Sequence, residues 1–158
     1  MAGWGVIYCG VSLRSLAIAF LMTSSLPAGV EPELADPLRV LVVDDLVDAA
    51  ATMARLLSLM ACEVRTAHDG PAALSMASEF LPDVVLLDLS LPGLDGYEVA
   101  RRLRSQPATA KSLIIALTGY GHGAARDDAL AAGCDEHLLK PAGIDQLLAL
   151  LNGRRRSR

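Results

Sequence analysis

The sequence predicts an α/β fold in which five parallel strands form one doubly wound sheet with five helices on its two faces. Between residues 39 and 152, short runs of Val, Leu and Ile alternate with segments that carry apolar residues at helical spacing. Most of these runs are continuously apolar, which is typical of parallel strands that are covered on both faces. Right-handed crossovers are expected between them. Among the common doubly wound arrangements, the strand order 2-1-3-4-5 fits five strands best.

The first half of this domain is predicted to contain three strands and two helices. The segment that begins at Asp48 has apolar residues at helical spacing, and Pro71 follows an Asp-Gly turn at a place that suits the first position of a helix. Residues 63–67 alternate between polar and apolar side chains, as a strand near a sheet edge does. In order, the predicted elements are the strand Val40–Val43, the helix Asp48–Met60, the strand Glu63–Ala67, the helix Pro71–Glu79 and the strand Val84–Leu87.

The second half is predicted to contain two strands and three helices. Val99 and Leu103 stand four residues apart and therefore share one face of a helix. Gly133 suits the position that directly follows a helix. The predicted elements are the helix Gly96–Leu103, the strand Leu113–Leu117, the helix Ala124–Ala132, the short strand Glu136–Leu139 and the helix Ile144–Leu151.

Residues 1–38 are predicted to be an N-terminal extension and linker outside this domain of residues 39–152. Residues 1–22 are mostly apolar, and three interpretations stay open: an extension without function, a membrane anchor or a secretory signal. Arg14 interrupts the apolar run, and no basic residue begins it, which weighs against the last two. The segment up to Pro37 is acidic and carries two prolines, as linkers do. Residues 153–158 are predicted to form a basic tail exposed to solvent.

The composition excludes several classes of protein. With 53% hydrophobic and 20% charged residues, the chain can bury a core and is not disordered throughout. A net charge of −4 gives no general attraction to nucleic acid. The cysteines Cys9, Cys62 and Cys134 fit neither a disulfide framework nor a zinc spacing. A cytoplasmic location is therefore expected, while the apolar N-terminal segment leaves a membrane-associated form open.

Three carboxylates are predicted to meet at the carboxyl end of the sheet. The switch point of this strand order lies between the first and third strands, which end at Asp44-Asp45 and at Asp88. Two carboxylates about 4 Å apart repel by about 4 kcal/mol at an effective dielectric constant near 20. Either one of them keeps its proton or a cation binds, and Mg²⁺ suits the site better than Ca²⁺. An Asp pair alone would also fit a solvated strand end or a helix cap.

Two further strands end in groups that complement an anion. Thr118 offers a hydroxyl donor after the fourth strand, and Lys140 offers an ammonium group after the fifth. Each is a weak signal when taken singly, because Thr is common in turns and Lys is common on surfaces. Together with a cation and a free carboxylate, they suit phosphoryl transfer in which Asp88 attacks in line and becomes the covalent acceptor.

From Arg39 to Asn152 the chain resembles the receiver domain of bacterial two-component response regulators, which is flavodoxin-like and found in chemotaxis regulators. The motifs that carry the resemblance are Val42-Val43-Asp44-Asp45, the run from Asp83 to Gly96, Ala116-Leu117-Thr118-Gly119 and Leu139-Lys140-Pro141. The resemblance implies that Asp88 is the phosphoacceptor and that Thr118 and Lys140 bind the phosphoryl group. It further implies a cis Lys140-Pro141 peptide. The implied Mg²⁺ ligands are Asp44, Asp45, Asp88 and the main-chain carbonyl of Ser90.

His137 departs from the commonest pattern of the family, which has Tyr or Phe three residues before the lysine. One interpretation is a partly exposed strand histidine with no special role. The other is a modified switch whose inward packing depends on protonation. Ser90, two residues after the acceptor, lies where side chains contact the attacking water during dephosphorylation, but its small size says little about the lifetime of the phosphoryl group.

The resemblance implies a phosphoacceptor rather than an enzyme, with at most a slow self-dephosphorylation. The donor would be a sensor histidine kinase or a histidine phosphotransfer protein, and the output a phosphorylation-dependent change of conformation. No nucleic-acid-binding domain is recognised after the last helix, so a stand-alone receiver is expected. Two alternatives are kept. One is an aspartyl-phosphate phosphohydrolase, which Ser90 disfavours because such enzymes place an acid there; the other is a docking module that works without phosphorylation.

Overall fold

Five strands form one parallel sheet in the part of the chain that the structure describes. The computed structural model describes residues 36–119 and 123–157. The strands are β1 (Leu38–Val43), β2 (Cys62–Ala67), β3 (Val84–Asp88), β4 (Leu113–Thr118) and β5 (Glu136–Leu139). Their order is β2-β1-β3-β4-β5, and each neighbouring pair is parallel. The predicted fold class and strand order are confirmed.

Within the described residues, five helices cover the two faces of this sheet. They are α1 (Val47–Leu59), α2 (Gly70–Phe80), α3 (Gly96–Ser105), α4 (Gly123–Ala131) and α5 (Ile144–Arg156). Buried side chains of α2, α3 and α4 pack on one face, and those of α1 and α5 pack on the other. β3 is buried along its whole length because it lies at the centre of the sheet, between β1 and β4. The alternating burial of β2 fits its place at the edge.

Local hydrogen bonds set where two of the helices begin. The side chain of Asp69 accepts from the main-chain N–H of Ala72 at 2.7 Å, and the side chain of Asp95 accepts from Glu98 at the same distance. Both acids are N-caps, which satisfy donors that the first turn of a helix leaves unpaired. α2 and α3 therefore start directly after the loops that follow β2 and β3, and these loops border the carboxyl end of the sheet.

The largest difference from the predicted elements lies at the C-terminal end. The sequence predicts a last helix that ends at Leu151 and a solvated basic tail over residues 153–158, but α5 continues to Arg156. Arg154 donates to the main-chain carbonyl of Lys111 at 2.7 Å, and Arg155 donates to that of Met60 at 2.6 Å. Basic side chains also favour the carbonyl end of a helix. The prediction of a tail is wrong for residues 153–156, because these contacts hold them in the helix.

The N-terminal predictions fall mainly outside the described residues. The three interpretations of residues 1–22, and the linker as far as Ala35, concern a part of the chain that the structure does not describe. Within residues 36–119 and 123–157, no helix combines the length and the apolar character that a membrane crossing requires.

Arg104 of α3 connects three parts of the domain through its guanidinium group. It donates to the main-chain carbonyls of Ala110 at 2.6 Å and Gly133 at 2.7 Å, and it pairs with Asp135 at 2.7 Å. The same oxygen of Asp135 accepts from the main-chain N–H of Ile114 at 2.8 Å. The guanidinium thus links α3 to the loops that precede β4 and β5, at the amino ends of these two strands.

We expect Arg104→Ala to lower the free energy of unfolding by about 2 kcal/mol, because it leaves several partly buried carbonyls and one carboxylate without their charged donor. Urea denaturation measures the change. Arg101→Ala is the matched control, since Arg101 lies on the same helix, is exposed, and pairs with Glu98 one turn away. Exposed pairs contribute little to stability. Equal losses in the two variants would contradict the assigned role of Arg104.

Candidate functional site

The carboxyl ends of β1 and β3 bring three acids together. The register pairs Val43 with Leu87, so the residues that follow, Asp44 and Asp88, are neighbours across the two strands. Together with Asp45, each of them offers one carboxylate oxygen, and these three oxygens lie within 4.8 Å of one another. Asp44 and Asp88 are buried, and Asp45 is exposed. The predicted convergence of the acids at the switch point is therefore observed.

Lys140 partly neutralises this acidic cluster. Its Nζ donates to Oδ2 of Asp44 at 2.6 Å and to Oδ2 of Asp88 at 2.8 Å. Partial burial by itself lowers the pKa of Lys140, but the hydrogen bonds and charges of Asp44 and Asp88 outweigh that effect and leave this pKa above its ordinary value. Lys140 therefore carries its full positive charge at neutral pH and stands between the two buried carboxylates.

Main-chain donors hold the other oxygens of the same two acids. Oδ1 of Asp88 accepts from the N–H of Ser90 at 2.9 Å, and Oδ1 of Asp44 accepts from the N–H of Leu46 at 3.0 Å. Each buried carboxylate thus has one oxygen on the backbone and the other on Lys140. Such donors fix the orientation of both groups before any ligand arrives, which favours chemistry that depends on position.

The cluster fits a hard divalent cation by the chemistry of its donors. Three carboxylates supply oxygen ligands, and the exposure of Asp45 leaves one side of the site open to water. Mg²⁺ typically keeps several waters and takes only a few protein oxygens. These carboxylates suit that incomplete set. The main-chain carbonyl of Ser90 stays a predicted ligand.

Thr118, at the end of β4, contacts His137 of β5. Oγ1 of Thr118 lies 2.7 Å from Nε2 of His137. The register pairs Ala116 with His137, and side chains two residues apart on a strand share a face, so both groups project on the same side of the sheet. The sequence singles out each residue but does not predict this contact. The shared face is the signal that could have suggested it.

Two residues near the cluster carry roles that the sequence did not indicate. A Cβ atom at Gly96 would clash with the main-chain carbonyl of Asp88, so only glycine lets the start of α3 approach the end of β3 so closely. The ring of His68 donates from Nδ1 to the main-chain carbonyl of Asp44 at 3.0 Å. For Gly96, a glycine at the start of a helix that closely follows a strand was a usable sequence signal. For His68, no local feature of the sequence indicated the contact with Asp44.

The peptide bond between Lys140 and Pro141 is cis, as the resemblance implies. The main-chain N–H of Lys140 donates to the carbonyl of Thr118 at 2.7 Å. This bond continues the pairing of β4 with β5 by one residue beyond Leu139. It places the lysine side chain at the same end of the sheet as the three acids.

Comparison with known families identifies the domain. Residues 40–152 match the model of the family described as Response regulator receiver domain. The chain belongs to this family. Receiver domains are parts of two-component systems, and phosphorylation and Mg²⁺ binding are typical of the family. The matched region contains the acidic cluster, Thr118 and Lys140.

Relatives of this receiver domain include larger response regulators. The chain is 38% identical to PleD of Caulobacter vibrioides over 110 residues, which is 70% of this chain and 24% of PleD. It is 42% identical to MprA of Mycobacterium avium over 113 residues, which is 71% of this chain and 48% of MprA. The chain thus spans less than half the length of these relatives.

Two solved receiver structures are similar to this fold. The receiver domain of the sensor histidine kinase PA1611 from Pseudomonas aeruginosa has a TM-score of 0.69 and 29% identity, over 75% of this chain and 98% of that one; it holds a magnesium ion in its active site cleft. A response regulator from Burkholderia pseudomallei has a TM-score of 0.68 and 31% identity, over 76% of this chain and 69% of that one. It carries a phosphorylated aspartic acid, a calcium ion and citrate.

Proposed function

We propose that this receiver domain accepts a phosphoryl group on Asp88 from a phosphohistidine. The observation that carries the proposal is the setting of Asp88, which is buried, oriented by the N–H of Ser90 and paired with Lys140 beside two further acids. An oxygen of Asp88 would attack the phosphorus atom in line. The new P–O bond forms as the P–N bond of the donor breaks, and the electron pair leaves on the imidazole nitrogen.

Asp44, Asp45, Asp88 and the main-chain carbonyl of Ser90 are the proposed ligands of a Mg²⁺ ion. Bound there, the ion would neutralise charge on the transferring phosphoryl oxygens. The magnesium in the PA1611 receiver domain supports the same use of the cleft in this chain. Since Lys140 contacts one oxygen of each buried acid, it is able to turn its ammonium group from the carboxylates to a phosphoryl oxygen when the ion binds.

The proposed donor is a sensor histidine kinase or a histidine phosphotransfer protein. Leu46 and Val47 follow the acidic pair and are 63% and 58% exposed, and Ile144, soon after Lys140, is 44% exposed. Apolar side chains beside a charged cleft suit a protein surface that delivers a phosphohistidine. We propose that the domain keeps the phosphoryl group as a signal and does not act as a phosphohydrolase. Ser90 stands where such an enzyme has the second acid that promotes rapid hydrolysis. A stand-alone receiver with cytoplasmic location stays a prediction.

Acetyl phosphate with Mg²⁺ tests the proposal. We expect a slower-migrating species on a phosphate-affinity gel, and its complete loss in Asp88→Asn. Asp95→Asn is the matched control, because Asn also caps a helix and Asp95 is exposed at the start of α3. Persistence of the species in Asp88→Asn would contradict Asp88 as the acceptor. Many turnovers of a small phosphoester by the wild type would instead favour the phosphohydrolase.

A further inference from the structure

His137 and Thr118 are tied by a bond that a ring of Phe could not make. Nε2 of His137 lies 2.7 Å from Oγ1 of Thr118, whose side chain is buried at the end of β4. His137 itself is half-buried on β5, the edge strand, which also carries the exposed side chains of Glu136 and Leu139. The bond therefore connects the carboxyl end of β4 with the edge strand β5.

The direction of this bond matters, because a hydroxyl has one proton to give. An imidazole Nε2 either accepts that proton or donates its own, depending on the tautomer. A phosphoryl oxygen on Asp88 can only accept. The contact is compatible with either direction, and the proposal below takes Thr118 as the donor and His137 as the acceptor.

We propose that His137 is a positioning residue that holds the hydroxyl proton of Thr118 while Asp88 is unphosphorylated. The inference rests on the proposed function, in which Thr118 donates to the phosphoryl group. To do so, the hydroxyl must leave Nε2 of His137, so phosphorylation exchanges a neutral acceptor for an anionic one. The free energy of the released hydrogen bond therefore reduces the affinity of the site for the phosphoryl group.

Nitrogen-15 NMR of the histidine rings tests the direction of the bond in the wild-type chain. Before any addition, we expect Nε2 of His137 to be unprotonated and to show the shift of a hydrogen-bonded acceptor. Adding Mg²⁺ and beryllofluoride, a phosphoryl analogue, is expected to move that signal towards the shift of an acceptor that has lost its hydrogen bond. A proton on Nε2 in the free protein would overturn the proposal. So would an unchanged signal once the analogue is bound.

A double-mutant cycle on beryllofluoride affinity tests the coupling. We expect His137→Phe to bind the analogue about two- to tenfold more tightly, since a released neutral hydrogen bond is worth that range. His137→Gln keeps an acceptor, and its affinity should return towards that of the wild type. In a Thr118→Val background, His137→Phe should leave the beryllofluoride affinity unchanged. Equal affinities of the wild type and His137→Phe would overturn the proposal.

The outcomes also separate this inference from the proposed function. If the wild type binds beryllofluoride no better than Asp88→Asn, the proposed function fails and the inference fails with it. If the wild type binds in a manner that needs Asp88 but His137→Phe binds equally well, only the role of His137 fails. Thermal melts followed by circular dichroism confirm that each variant is folded before its affinity is compared.

Discussion

Lys140→Met is expected to destabilise the metal-free protein and to lose much of that defect when Mg²⁺ is added. Asp44 and Asp88 are buried, and Lys140 gives each of them a hydrogen bond. Removing one partner of a buried pair leaves its charge uncompensated. Because the ammonium is partly exposed, we expect a loss of about 2–3 kcal/mol in the free energy of unfolding, below the full range for buried pairs. Urea denaturation with and without Mg²⁺ measures both effects.

The same variant is expected to accept phosphoryl groups at least about a hundredfold more slowly, as removal of one preorganised charge from a transition state typically does. The initial rate with acetyl phosphate gives the value. Lys111→Met is the control, because Lys111 is exposed and lies in the loop before β4. A Lys140→Met chain as stable as the wild type without metal would contradict the neutralising role. Retained stability loss at saturating Mg²⁺ would show that the ion does not replace the ammonium charge.

The pKa of Lys140 gives this stabilisation a defined range of pH. Its pKa is raised in the folded chain, so its contribution to stability is fully present below the unfolded pKa. The contribution is then lost as the pH rises through the higher folded value. We therefore expect the stability difference between wild type and Lys140→Met to be constant through neutral pH and to shrink only in the alkaline range above the ordinary lysine pKa of about 10.4.

The centre of the sheet was predictable because the three inner strands, β1, β3 and β4, contain continuous apolar runs that end in polar residues. The run from Val84 to Leu87 has no polar side chain, and the structure buries all of it. Strand order then followed from the count of strands and the rules of crossover connections. Since parallel strands share one carboxyl end, the meeting of Asp44, Asp45 and Asp88 also followed from the sequence.

Other features could not be predicted, because they depend on where long side chains find partners. Arg154 and Arg155 look like part of a solvated run of basic residues, yet carbonyls from distant loops hold them in α5. Arg104 is one of three arginines on a strongly polar helix, and only the folded chain shows that it alone reaches Gly133 and Asp135. The 2.7 Å contact of His137 with Thr118 likewise depends on register, which the sequence does not specify.

Mg²⁺ binding is expected to separate the roles of Asp44 and Asp45. Asp45→Asn should weaken Mg²⁺ binding at least about tenfold. A full charge within a few ångströms of a divalent ion contributes more than about 1.4 kcal/mol to binding even at an effective dielectric constant near 20. Because Asp45 is exposed, the stability of its metal-free form should hardly change. Asp44→Asn should weaken Mg²⁺ as well. Isothermal titration calorimetry measures both affinities.

Asp44→Asn should behave differently without metal. Its amide oxygen can still accept from the N–H of Leu46, while the removed charge relieves the repulsion from Asp88. One of the two ion pairs of Lys140 is lost at the same time, so the net change in stability is expected to be small or favourable, in contrast to Lys140→Met. Asp48→Asn, an equal change of charge on the exposed first turn of α1, controls for general electrostatics. If Asp48→Asn weakened Mg²⁺ binding equally, the affinity would follow net charge rather than coordination. That result would contradict a site built from Asp44, Asp45 and Asp88.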